Sequence, residues 1–118
     1  MIDGINIEQR EIIITPFPFS DLSSNKKRPA LVISNNIFNN KNQDVLCCLI
    51  TSNFSECGEL IISNNDMEKG FLEFESRIKP QRLFTLNKKI IKKSIGKINI
   101  KTAEKVNEEI NKLIKLVI

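Results

Sequence analysis

The 118-residue chain contains no histidine, no tryptophan and no tyrosine. Without histidine it lacks the side chain that most often carries protons in catalysis near neutral pH, and the commonest metal ligand as well. Its three cysteines, Cys47, Cys48 and Cys57, show no CxxC spacing, which argues against a zinc or redox centre. Cys47 and Cys48 adjoin, and adjacent strand residues face opposite ways, so they are not expected to bond each other. An odd count without a framework points to reduced, buried thiols in a cytosolic protein. The longest apolar run, Val45 to Ile50, is far too short to cross a bilayer. Asp3 and Glu8 stand at an N-terminus without an apolar h-region, so no signal peptide is expected and the localisation read is cytoplasmic. Seven phenylalanines are the only aromatics, so the core must be largely aliphatic.

What is abundant is isoleucine, asparagine and lysine. β-Branched side chains tilt the chain toward strands. The net charge is +4 and the pI about 9.1, with lysine far outnumbering arginine. That balance favours phosphate-rich partners, but alone it argues for solubility and steering more than for an activity. The length fits one domain over residues 1–118.

Along the chain, Glu11 to Thr15 reads as a short strand ended by Pro16 and Pro18, because proline removes a ladder donor. Phe19 to Lys27 is turn-rich and reads as a loop. Ala30 to Ser34 reads as a strand, Asn35 to Asn42 as a second loop, and Asp44 to Thr51 as a central strand covered on both faces. Weaker strands are expected at Glu59 to Ser63, Ser76 to Ile78 and Arg82 to Leu86, with a turn over Asn64 to Gly70. Lys89 to Ile98 leans toward strand. From Thr102 to Val117, apolar residues at Ala103, Val106, Ile110, Leu113, Ile114 and Val117 trace one face of a helix, with Thr102 as its N-cap. Six or seven short strands followed by one helix give an α+β fold, with the sheet curled into a small barrel.

Several segments, taken in order, carry a family resemblance. They are Arg10-Glu11-Ile12-Ile13, Pro16-Phe17-Pro18-Phe19-Ser20-Asp21 and, most diagnostic, Lys27-Arg28-Pro29-Ala30-Leu31-Val32-Ile33-Ser34-Asn35. Leu49-Ile50-Thr51-Ser52, Ser76, Leu83-Phe84-Thr85-Leu86 and Ile95-Gly96-Lys97-Ile98 follow. Together they resemble the MazF/PemK toxins of type II toxin–antitoxin systems over nearly the whole chain. One departure is that the family opens with Gly-Asp where this chain has Arg10-Glu11. The resemblance implies an SH3-like barrel of the CcdB/MazF type and a homodimer. It also implies a cytoplasmic endoribonuclease, without metal or cofactor, that cuts single-stranded messenger RNA to cyclic-phosphate and 5′-hydroxyl ends. A cognate antitoxin with an acidic tail would hold it inactive.

Such cleavage makes a 2′-hydroxyl attack its own phosphorus, so preorganised cationic donors must meet the charge gathered on the phosphoryl oxygens. Arg28 suits that task, because a guanidinium offers a rigid fork of donors to phosphate and keeps its charge. On its own chemistry it is equally a solvated strand-edge arginine; the resemblance makes it catalytic. Thr51 is either a β-former at a strand end or, as the resemblance implies, the hydroxyl that hydrogen bonds the scissile phosphate. The same resemblance makes Phe19, Ser20, Asp21, Lys27, Ser52, Ser76, Arg77 and Lys79 RNA contacts. Ser20 and Asp21 also suit a plain turn, and Asp21 a general base. Phe17 or Phe19 could stack on a base or enter the core. The lysine cluster Lys88, Lys89, Lys92, Lys93 and Lys97 reads either as an RNA track or as a solvated face. Glu73 and Glu75 share a face if extended, which is weak support for a metal site. Two further functions fit the same fold: a CcdB-like poison of gyrase and a nuclease-dead RNA-binding regulator.

Overall fold

The computed structural model describes residues 6–16, 27–52 and 60–118. The isoleucine run becomes β1 (Glu11–Pro16), and the Lys27 to Val32 stretch becomes β2 (Lys27–Val32), paired antiparallel with Thr15 opposite Arg28. β3 (Asp44–Thr51) has the bounds expected for it, and its residues are buried toward both faces. β4 (Leu60–Ile62), β5 (Met67–Gly70), β6 (Ser76–Asn87) and β7 (Lys93–Ile98) complete a seven-stranded sheet in the order β4-β6-β3-β2-β1-β7-β5. Helix α2 (Ile100–Ile114) closes the described chain. None of the described helices is long and apolar enough to cross a membrane.

Four expectations need correction. Asn35 to Asn42 is no loop: α1 (Asn36–Lys41) forms there, with the Asn35 side chain accepting from the Phe38 N–H at 2.9 Å. Asn39 is fully buried because its side chain exchanges hydrogen bonds with Ser34. Asparagine thus builds the helix start and satisfies the interior, which composition alone cannot reveal. Asn64 to Gly70 is a 3₁₀ turn followed by β5 rather than a turn throughout. The two expected strands Ser76 to Ile78 and Arg82 to Leu86 are one strand, β6. An irregularity opposite Cys48 and Leu49 absorbs Pro80 and its neighbours, as a bulge lets a strand carry a residue without a ladder donor. Finally, α2 is capped by Asn99, whose side chain accepts from the Thr102 N–H at 2.8 Å. Thr102 sits inside the helix and donates its hydroxyl to Asp66 at 2.7 Å.

Alternation sorts the sheet into two faces. Ile12, Leu31, Cys48, Ile50, Ile62, Ile78 and Ile98 pack with Val106 and Ile110 of α2. Ile13, Ala30, Val32, Val45, Cys47, Phe84 and Leu86 form a second cluster on the other face, closed by Ile7 and Ile91. Cys47 and Cys48 therefore point into different cores, and both are free thiols. Burial pushes the Cys47 thiol up to about 12 and the Cys48 thiol higher still, which leaves both inert. Cys57 lies outside the described residues.

Where β5 meets β7 the backbones touch. Gly70 (φ +77°) stands opposite Gly96, and a Cβ on Gly70 would lie 2.1 Å from the Ile95 carbonyl oxygen. At the start of β1, Arg10 holds φ +80°. The guanidinium donates to the Glu68 carboxylate at 2.9 Å and the Ile98 carbonyl at 2.7 Å, tying this strained turn to β5 and β7.

Candidate functional site

Arg28 and Thr51 come from different strands, and the register sets both on one face. In β2 and β3, Ala30 faces Leu49 and Leu31 faces Cys48. That ladder ends two residues short of Arg28 and Thr51, which alternation leaves on the face of Ala30 and Leu49. Thr51 in turn pairs with Arg77 of β6, while Arg28 pairs with Thr15 of β1. Directly opposed residues in antiparallel strands point to one face, with Cα atoms about 5 Å apart. Thr15 with Arg28 and Thr51 with Arg77 therefore form two opposed pairs on one face, either side of the point where the β2–β3 ladder ends. Both pairs lie on the face of the second core cluster, beyond its apolar edge at Ala30 and Leu49.

Arg28, Thr51 and Arg77 are half-buried, and Lys79, two residues along β6 from Arg77 and opposite Leu49, is only 3% exposed. On this face Thr51 therefore stands opposite Arg77, with Lys79 one rung away and Arg28 on the neighbouring strand. Low dielectric beside the core strengthens every such charge toward an anion. Such donors, rigid because they stand on strands, suit a phosphodiester with charge building on its oxygens. The Lys92 N–H donates to the Ile14 carbonyl at 2.8 Å, which brings exposed Lys92 close to Thr15.

Other expected contacts fall elsewhere. Lys27 is exposed and alternates to the opposite face from Arg28; Ser52, also exposed, follows the end of β3. Ser76 is buried on the α2 side, paired with Ile62, and donates its hydroxyl to the Phe74 carbonyl at 2.9 Å. Phe17, Phe19, Ser20 and Asp21 lie outside the described residues. Of the lysine cluster, Lys88 is spent on the Asn39 carbonyl and Lys97 on the Glu8 carboxylate. Glu73 and Glu75 are not in a strand, and among the described residues no three of His, Cys, Asp and Glu converge. Thr15, fully buried with its hydroxyl donating to the Pro16 carbonyl at 3.2 Å, was not anticipated. Only the cross-strand register reveals it. A cleft of about 310 Å³ between α2 and the β1–β2 end, lined by Arg10, Leu31, Ile98, Ala103 and Val106, belongs to the other face.

A curled seven-stranded antiparallel sheet with one terminal helix defines a class of small α+β barrels. Residues 8–114 match the PemK-like, MazF-like toxin of type II toxin–antitoxin systems, and the chain belongs to that family. No curated protein matches it on sequence. Among solved structures it is similar to the MazE–MazF complex of Deinococcus radiodurans (14% identity, 96% of this chain and 100% of that one, TM-score 0.75). It is also similar to a mycobacterial endoribonuclease in complex with its cognate antitoxin (15%, 95% and 98%, 0.71). The Mycobacterium tuberculosis toxin MazF-mt6 gives 17%, 92% and 100%, and 0.69. At such identities the likeness extends to the fold.

Proposed function

We propose that this toxin is a sequence-selective, metal-independent endoribonuclease that cuts single-stranded messenger RNA in the cytoplasm. The observation that supports the reading is the strand face that Arg28, Thr51 and Arg77 share, with Thr51 paired to Arg77. In the reaction the 2′-oxygen bonds to phosphorus as the bond to the 5′-oxygen breaks. The 2′-hydroxyl loses a proton and the departing oxygen gains one, leaving a 2′,3′-cyclic phosphate and a 5′-hydroxyl. Arg28 grips the non-bridging oxygens with its fork, Thr51 donates a hydrogen bond, and Arg77 offsets charge beside Thr51. Lys79 adds a sheltered positive charge. The named mycobacterial and Deinococcus structures, an endoribonuclease and toxins held with antitoxins, support the activity and a cognate antitoxin for this chain.

We also assign the active form as a homodimer. Leu113 and Ile114 at the end of α2, and Leu116, Val117 and Ile118 just beyond it, are all more than half exposed and form an apolar patch that suits a second copy.

Incubation of the purified protein with long mixed-sequence RNA in EDTA tests the proposal. Discrete cuts ending in cyclic phosphate, lowered at least 100-fold by Arg28→Ala, are expected. Intact RNA alongside inhibited gyrase supercoiling would replace this reading with the CcdB-like one. Salt-dependent RNA binding without cleavage would point to a regulator.

A further inference from the structure

We infer that Ile61 is an apolar ledge for the nucleobase next to the phosphate held at Thr51 and Arg77; the inference rests on the ribonuclease reading. The strand register sets it there. Ile61 of β4 stands directly opposite Arg77 of β6, and Arg77 stands opposite Thr51 of β3. Directly opposed residues in antiparallel strands point to one face, so these three side chains share one rung across β4, β6 and β3. The neighbours of Ile61 agree. Ile62 is buried in the core under α2 and Leu60 packs against it, so alternation turns Ile61 to the other face. β4 is the last strand of the sheet, and Ile61 is 51% exposed. A large apolar side chain thus lies uncovered beside the Arg77 cation.

The layout of the face decides what meets this side chain. One rung toward the core, Lys79 is 3% exposed and the Leu49 opposite it packs on the second cluster, which closes that direction. Toward β2 lies Arg28, a cation that suits a phosphate. On the β4 side, about 4.8 Å from the Arg77 strand, lies Ile61. The phosphates of a bound strand are drawn to the cations, and the base swings toward β4. There it covers Ile61, and both apolar surfaces leave water. Isoleucine has no side-chain donor or acceptor, so it meets the face of the base and does not read its edge. Apolar contact grows with the area covered, so a purine gains more here than a pyrimidine. Uncovered edge strands favour charged residues; a base seated on β4 accounts for isoleucine in such a place.

The test uses single-stranded oligonucleotides with one 2′-deoxy nucleotide at the cut site, which blocks cleavage, and an abasic nucleotide placed at each position in turn. The wild-type protein should lose affinity about three- to tenfold when one base flanking the scissile phosphate is missing. Ile61→Thr keeps the β-branched shape and removes the apolar face, so it should weaken binding to the intact strand by a similar factor. It should then be indifferent to the missing base, because the two losses are one interaction. Ile61→Val should restore most of the affinity. A purine at that position should bind wild type more tightly than a pyrimidine, and Ile61→Thr should erase the preference. Ile37→Ala, an exposed apolar change in α1, should leave binding unchanged. Melting curves verify folding of each variant. Wild-type affinity in Ile61→Thr would overturn the ledge, as would losses that multiply, or a loss confined to dimer mass or antitoxin capture. RNA cleaved normally with an indifferent Ile61 sinks this inference alone. Wild-type protein that neither binds nor cuts RNA sinks the nuclease reading with it.

Discussion

Arg10 shows how one residue can be strained and useful together. A non-glycine side chain at φ +80° costs on the order of 1–2 kcal/mol, yet this guanidinium reaches the Ile98 carbonyl and Glu68. Arg10→Ala keeps the strain and loses the donor, so urea unfolding should report a loss of about 1–2 kcal/mol. Arg10→Gly loses the same donor but relieves the backbone, and should be the milder change. The sequence marked this position as a departure, but the compensation by Glu68, 58 residues away, was not legible. At the site, Arg28 and Thr51 were legible as residues through the segments around them. Their shared face was not, because register between strands leaves no trace in spacing. Thr15 did not stand out for the same reason, and alternation sets Lys27 and Ser76 on the face opposite Arg28 and Arg77.

Among the elements, two ion pairs fasten the N-terminal turn to the far edge of the sheet: Glu8 with Lys97 of β7, and Arg10 with Glu68 of β5. The hydrogen bond and charge of Lys97 hold the Glu8 carboxyl below its ordinary range, and Arg10 does the same to Glu68. A carboxyl whose folded pKa is depressed contributes stability above its unfolded value, near 4.3, and loses it as pH falls through the folded value. Thermal midpoints between pH 5 and about pH 3 should therefore fall less steeply in the Glu8→Gln/Glu68→Gln protein than in wild type. Equal slopes would show that the pairs do not hold the edge. Strongly patterned elements were legible: β3 has its expected bounds, and the stripe from Ala103 to Val117 marked α2, although the helix itself ends at Ile114. Elements built by polar side chains were not. α1 depends on the Asn35 cap and buried Asn39, and the start of α2 depends on Asn99 rather than Thr102. Asparagine serves loops and caps alike, so only the partner it finds decides.

For the whole molecule, the order of strands places Arg28, Thr51 and Arg77 on one face of the sheet and α2 on the other. With the proposed dimer built on the exposed apolar residues from Leu113 to Ile118, Ile114→Lys/Val117→Lys should halve the mass measured by light scattering without unfolding the barrel. An unchanged mass would move the interface elsewhere. The central claim is that Arg28 and Thr51 act on one phosphate as a unit. A double-mutant cycle on kcat/KM with Arg28→Ala, Thr51→Val and both together measures this most directly. The account predicts that the double variant is scarcely slower than Arg28→Ala alone. Losses that multiply would show two independent contributions and contradict the shared site.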